Sequence, residues 1–287
     1  MDKKRLPFLN LLSKRKHWHI CSRNWGIVLF CVLPLFVTSC SVPKHKPIDL
    51  GDWDRVKIER LLDKSEQIQS PGDKIAFISA AFLKTPYRAS TLIGSAETAE
   101  VFVLRLDGVD CFTFLDYVES LRRATDFDEF KQMLQQVRYR NGQVTFLDRN
   151  HFFSAWGNAL FAPLRDVTAQ IGGGDVRWVE KQLNEKGDGT LYLSGYPVRT
   201  QVVAFIPPEA IDKSVLSRLQ NGDYIGIYSP YPGLDVSHTG IVIIKRGKVF
   251  LRHASSRFFR KKVRDEELLP YLGGKKGLIV YRPITVN

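Results

Sequence analysis

The chain has 287 residues, 44% hydrophobic and 25% charged, enough apolar material to bury a core as one large domain or two small ones and too much for a disordered tail. The formal net charge of +12 overstates the basicity of the body, because residues 1–39 hold seven Lys/Arg against Asp2 alone and account for half of the excess.

Residues 1–39 read as an export signal. A basic segment precedes the apolar run WGIVLFCVLPLFV (Trp25–Val37), which ends at Thr38-Ser39-Cys40. Thirteen residues with an internal Pro34 fall short of the roughly 20 that comfortably span a bilayer, but they suit the apolar region of a signal peptide. VTSC (Val37–Cys40) resembles a bacterial lipobox, which implies cleavage before Cys40, acylation of its thiol and a membrane anchor; an ordinary secretory signal or an uncleaved anchor is the alternative. Ser41 in place of Asp resembles outer-membrane sorting in enteric-type bacteria, so the expected location is the outer membrane, facing the periplasm. The expected organisation is a signal over 1–39, a linker over 40–51 holding a solvated His45, and one domain over 52–287. The long basic segment leaves room for a true start downstream of Met1.

Of four cysteines, Cys21 and Cys31 leave with the signal and Cys40 carries lipid, so Cys111 is the only thiol of the mature body. A lone thiol in an oxidising compartment implies either deep burial or a chemical task. Leu115, Val118 and Leu121 follow at helical spacing, which places Cys111 at a helix N-terminus with Asp110 as N-cap. There the helix dipole favours the thiolate, although the Asp110 charge opposes it.

A nucleophile needs a base, and the mature body offers His151, His238 and His253. The last two lie in DVSHTGIVIIKRGKVFLRHASS (Asp235–Ser256), which reads as a β-hairpin: Ile241–Ile244, a turn at Arg246-Gly247, then Val249–Arg252. An even-length turn sets His253 opposite Gly240 and puts both histidines on one face as diagonal neighbours, roughly 7–8 Å apart in backbone. Cys111, His238 and His253 then suit nucleophile, base and orienting group, with no metal or organic cofactor required. A zinc site is the rival for the same three residues, though short CxxC or HxxxH spacings are absent and no fourth ligand is obvious.

TPYRAS (Thr85–Ser90), DCFTFLDYVESL (Asp110–Leu121), NGDYIGIYS (Asn221–Ser229), SHTGIVI (Ser237–Ile243) and LRHASS (Leu251–Ser256) follow one another as in the NlpC-type papain-like cell-wall hydrolases. RNHFFSAW (Arg149–Trp156) makes the branch resembling N-acetylmuramoyl-L-alanine amidases the most similar, with Ala155 where that branch leads one to expect an acidic residue. The resemblance spans about residues 70–285. It implies an α+β papain-like core with an antiparallel sheet, a nucleophile-bearing helix and extra helical segments. It assigns Cys111 as nucleophile, His238 as base and His253 as third member, with Tyr87 near the thiolate as an oxyanion contact.

Elsewhere, Asp52–Lys84 reads as helical around a break at residues 70–72, with further helices at about 127–136 and 208–220. Asp110, His151 and Trp156 are candidate cleft residues; the aromatics of the segment serve equally as a sugar-stacking wall or as plain core. The basic run at 257–267 suits an acidic partner, and export turns that reading from nucleic acid toward muropeptide carboxylates or membrane phosphates. The expected activity is hydrolysis of the N-acetylmuramoyl-L-alanine amide of muropeptides, anhydro-type fragments above all, by a monomer. A γ-D-glutamyl-diamino-acid endopeptidase and a non-catalytic muropeptide-binding lipoprotein are the alternatives.

Overall fold

The computed structural model describes residues 46–157 and 164–284. The expected signal, the lipidation candidate Cys40 and His45 lie outside the described residues. The chain runs β1 (Ile48–Asp49), α1 (Arg55–Glu66), α2 (Pro71–Ala80), β2 (Leu104–Arg105), α3 (Cys111–Arg123), α4 (Phe127–Arg138) and α5 (Phe153–Gly157). There follow β3 (Leu164–Asp166), α6 (Thr168–Gly172), the ribbon β4 (Arg177–Leu183) and β5 (Arg199–Phe205), and α7 (Lys213–Arg218). The last stretch holds β6 (Tyr224–Tyr228), β7 (Val236–Lys245), β8 (Lys248–Ala254), β9 (Val263–Glu267), α8 (Leu268–Leu272) and β10 (Leu278–Pro283). Among the described residues no helix is long and apolar enough to cross a membrane.

The fold is α+β around a six-stranded sheet of order β3-β10-β6-β7-β8-β9, antiparallel at every pairing. Strand alternation gives this sheet two buried faces. Ile241 and Ile243 of β7 join Ile58, Ile75, Phe114 and Leu134, from α1 to α4, in one core. Val242 of β7 and Leu251 of β8 face the other way, onto Ile171, Val215 and Leu268 of α6, α7 and α8. Full burial of each such aliphatic side chain stabilises by roughly 1.5–3 kcal/mol, so both layers hold the sheet.

Local chemistry explains the element ends. Ser70 caps α2 with Pro71 at its first turn, and Asp126 caps α4 through Glu129 N–H at 2.8 Å. Arg246 and Gly247 both have positive φ (50° and 73°), the two-residue turn that matches the twist of a hairpin. The helix expected at 208–220 is divided, because the Asp212 side chain accepts from Val215 N–H at 2.8 Å and starts α7 afresh. The folded body also begins before the expected boundary at 52. Leu104 N–H donates to Pro47 O (2.9 Å) and Leu106 N–H to Asp49 O (2.8 Å), pairing β1 with β2.

Two buried polar clamps fix α3. Arg138 Nε of α4 donates to Asp116 Oδ2 at 2.8 Å, with both side chains only 1% exposed. Fully buried Glu119 accepts from Arg122 (2.6 Å) and from the Tyr224 hydroxyl of β6 (2.8 Å). The helix is therefore held in rotation as well as position, and with it the residue at its first turn.

Candidate active site

Cys111 is the first residue of α3. Asp110 Oδ1 accepts from Phe112 N–H (3.0 Å), Thr113 N–H (2.7 Å) and the Thr113 hydroxyl (2.8 Å), while Asp110 N–H donates to Thr113 Oγ1 (3.0 Å). This reciprocal cap occupies Oδ1 and makes Asp110 the support of the helix end, at a position that also lines the cavity beside it. The Cys111 amide takes no part in the cap.

The Cys111 thiol is half-buried. Dense packing around it, reinforced by the Asp110 charge, pushes its pKa up to about 11, while the polar groups of Thr239 and its own amide pull the other way. The expectation that the helix end favours the thiolate is therefore corrected. Desolvation outweighs it, and the free protein holds a thiol.

The two histidines meet. His238 Nε2 lies 2.7 Å from His253 Nδ1, with the rings perpendicular at 88°. Three features of β7 produce this. The register Ile241↔Arg252 puts residues 238 and 253 on one face. A bulge between the pairs Ile227↔His238 and Tyr228↔Val236 re-aims the strand at Ser237. Gly240 leaves the room: a Cβ there would stand 2.8 Å from Arg252 O and 3.1 Å from His253 Cβ.

Behind His253 stands Glu266 of β9, its Oε1 3.2 Å from His253 Nε2. Arg260 (3.2 Å), Arg264 (3.5 Å) and Arg257 (3.6 Å) surround that carboxylate. A carboxylate only accepts, which assigns the protons. His253 Nε2–H donates to Glu266, His253 Nδ1 accepts from His238 Nε2–H, and His238 Nδ1 keeps a free lone pair. Burial, aided by His253 and nearby Lys275 and Arg257, lowers the His238 pKa to about 3 and keeps the imidazole neutral.

Among the described residues no hydrogen bond joins the Cys111 thiol to His238. The link is Thr239, the next residue of β7, whose hydroxyl donates to Cys111 O at 2.7 Å. Half-buried Tyr87 has its pKa raised, chiefly by burial and then by Cys111. Tyr271 of α8 packs edge-on against His253, 5.0 Å between ring centres, and its pKa is raised, chiefly by burial and in smaller part by Cys111. Thiol, imidazole pair and both phenols thus gather at one end of β7.

His151 lies across from the α3 cap, lining with Asp110, Phe112 and Arg149 a cavity of about 420 Å³. Its Nε2–H donates to Phe146 O at 2.7 Å, and burial lowers its pKa to about 4. Trp156 is not at the cleft. It is fully buried, 5.1 Å from Tyr224 and 6.0 Å from Phe153 between ring centres, which corrects its reading as a substrate wall. Ala155 packs beside Phe152 in a small satellite core. Sequence reasoning missed Glu266, Thr239 and Tyr271. A period-two reading of VRDEE would have put Glu266 on one face with Arg264, but only the pairing His253↔Arg264 brings it to the histidine.

This chain belongs to the N-acetylmuramoyl-L-alanine amidase-like family, which matches residues 77–278. Among solved structures it is similar to protein LPG0564 of Legionella pneumophila, at 25% identity and TM-score 0.66 over 80% of this chain and 96% of that one. It is also similar to an N-acetylmuramoyl-L-alanine amidase of Bacteroides uniformis, at 27% identity and TM-score 0.63 over 75% of this chain and 99% of that one. No curated protein matches the chain in sequence.

Proposed function

We propose that this protein is a papain-like cysteine amidase that cleaves the N-acetylmuramoyl-L-alanine bond of muropeptides, acting as a lipoprotein anchored through Cys40 in the envelope, at the outer membrane facing the periplasm. The observation that carries the reading is the chain Glu266–His253–His238, with distances of 3.2 and 2.7 Å, which ends in a free imidazole lone pair one residue from the Thr239 contact to Cys111. Membership of the amidase-like family and likeness to the Bacteroides uniformis amidase support hydrolysis of peptidoglycan material.

In the mechanism, the Cys111 S–H proton passes to His238 Nδ1 as sulfur attacks the lactyl carbonyl carbon. Because thiol and imidazole are both neutral at rest, transfer and attack proceed together. The Cys111 amide and the Tyr87 hydroxyl flank the developing oxyanion. Collapse breaks the C–N bond, and His238 returns the proton to the leaving alanine nitrogen. Water then attacks the thioester with His238 as base, releasing the muramic acid carboxyl and restoring the thiol. The 420 Å³ cavity beside the α3 cap takes the adjoining part of the substrate.

Incubation with a defined anhydro-muropeptide and mass analysis of the products tests the reading. Free L-Ala-γ-D-Glu-diaminopimelate is expected, and Cys111→Ala and His238→Ala should abolish it. A sugar still bearing L-Ala-γ-D-Glu would assign the endopeptidase reaction instead, and binding without turnover would assign a muropeptide-binding protein.

A further inference from the structure

We infer that the turn between β8 and β9, Arg257–Lys262, is a membrane-docking loop that seats Phe258 and Phe259 in the surface of an anionic phospholipid bilayer. The inference rests on the lipid-anchor reading only for how the loop is brought near the membrane.

Phe258 and Phe259 are 78% and 92% exposed, the most exposed large apolar side chains among the described residues. They form the tip of a single 3₁₀ turn, with ring centres 5.0 Å apart and planes at 86°. Arg257, Arg260, Lys261 and Lys262 flank them and are exposed, with no acidic residue in the run. Arg257 and Arg260 share the one carboxylate of Glu266, so the loop keeps a net positive charge around its aromatic tip. Two aromatic rings turned outward within a cationic collar match the bilayer interface, where rings enter at the headgroup level and cations pair with lipid phosphates.

The base of the loop is rigid, and its place in the fold suits this task. Val263 N–H donates to Thr85 O (2.8 Å), Lys84 N–H to Val263 O (2.9 Å) and Tyr87 N–H to Lys261 O (3.0 Å). Lys84, Thr85 and Pro86 in turn line one groove with Gly51, Asp52 and Trp53, so the loop and the start of the folded body adjoin the same segment. Cys40 precedes β1 by eight residues, a reach of at most roughly 30 Å. A lipid on Cys40 therefore keeps this side of the body near the bilayer.

Hydrogen–deuterium exchange on the purified full chain tests this, in buffer, with phosphatidylcholine vesicles, with phosphatidylglycerol vesicles and with a muropeptide. Amides of residues 256–262 should exchange about fivefold more slowly with phosphatidylglycerol than with phosphatidylcholine, and Phe258→Ser/Phe259→Ser should remove the difference. Unchanged exchange with both lipids, or equal slowing by both, overturns the proposal. Slowing by a muropeptide and not by lipid also overturns it, making the loop a substrate wall. The mass of the N-terminal peptide reads acylation separately. An acylated N-terminus with an unprotected loop removes only the docking, and a bare N-terminus with a protected loop removes only the anchor.

Discussion

His253 Nε2 lies 3.2 Å from Glu266 Oε1, and this contact sets the tautomer of the whole histidine pair. With Glu266 as acceptor, the free lone pair of the relay falls on His238 Nδ1. In the proposed mechanism Glu266 is a positioning residue, since it acts only through His253. Glu266→Ala should lower kcat by about tenfold or more with KM little changed. Glu266→Gln should retain most activity, because its amide oxygen still accepts from Nε2–H. The pH–rate profile separates this from a loss of folding. Glu266 raises the His253 pKa against the lowering by burial, so its removal should shift the acid limb downward.

The Cys111 thiol, pushed up to about 11, should be slow to alkylate at neutral pH. The thiolate is the reacting species, so the iodoacetamide rate at the Cys111 peptide should rise about tenfold per pH unit from 7 to 10 without a plateau. Mass spectrometry of that peptide follows the rate. A plateau near pH 7 would show that the helix end and His238 stabilise the thiolate, and an ion-pair mechanism would replace proton transfer during attack.

Where chemistry is local, the sequence is legible. The pair Asp110/Thr113 marks the start of α3, Ser70-Pro71 that of α2, and Arg246-Gly247 the turn that brings His238 to His253. What it hides depends on pairing across long separations. Glu266 reaches His253 only through the β8–β9 register, which no residue of VRDEE announces. Trp156 looks like a cleft aromatic by composition, and its burial follows from β6 and β10 arriving with Tyr224 and Tyr281 more than 60 residues later. The Cys111 pKa is equally non-local, because a helix N-terminus is visible in sequence and the packing that outweighs it is not.

The Asp116–Arg138 pair should be worth most when one member is removed. Arg138→Met leaves a carboxylate 1% exposed without its cation and should cost about 3–5 kcal/mol in urea unfolding. Asp116→Leu/Arg138→Met should recover much of that loss. If the single and double variants were equally destabilised, Arg138 would act through its bond to Val103 O and not through the ion pair.

His151 should make the protein acid-sensitive. Its ring is wedged edge-on between Phe146 and Tyr196, at 4.8 and 4.6 Å between centres, and burial lowers its pKa to about 4. In the unfolded chain the value is about 6.5. Above that pH both states are neutral and His151 confers no pH dependence. As pH falls from about 6.5 to about 4, the unfolded chain binds a proton that the folded one refuses, so stability drops by up to about 3 kcal/mol from this group. His238, lowered to about 3, adds to the same slope. Urea unfolding of wild type and His151→Gln at pH 7.5 and pH 5 should show the variant losing about 2 kcal/mol less between the two. Parallel losses would mean that His151 is protonated as readily in the folded protein as out of it, and that the acid response belongs to the His238–His253 pair alone.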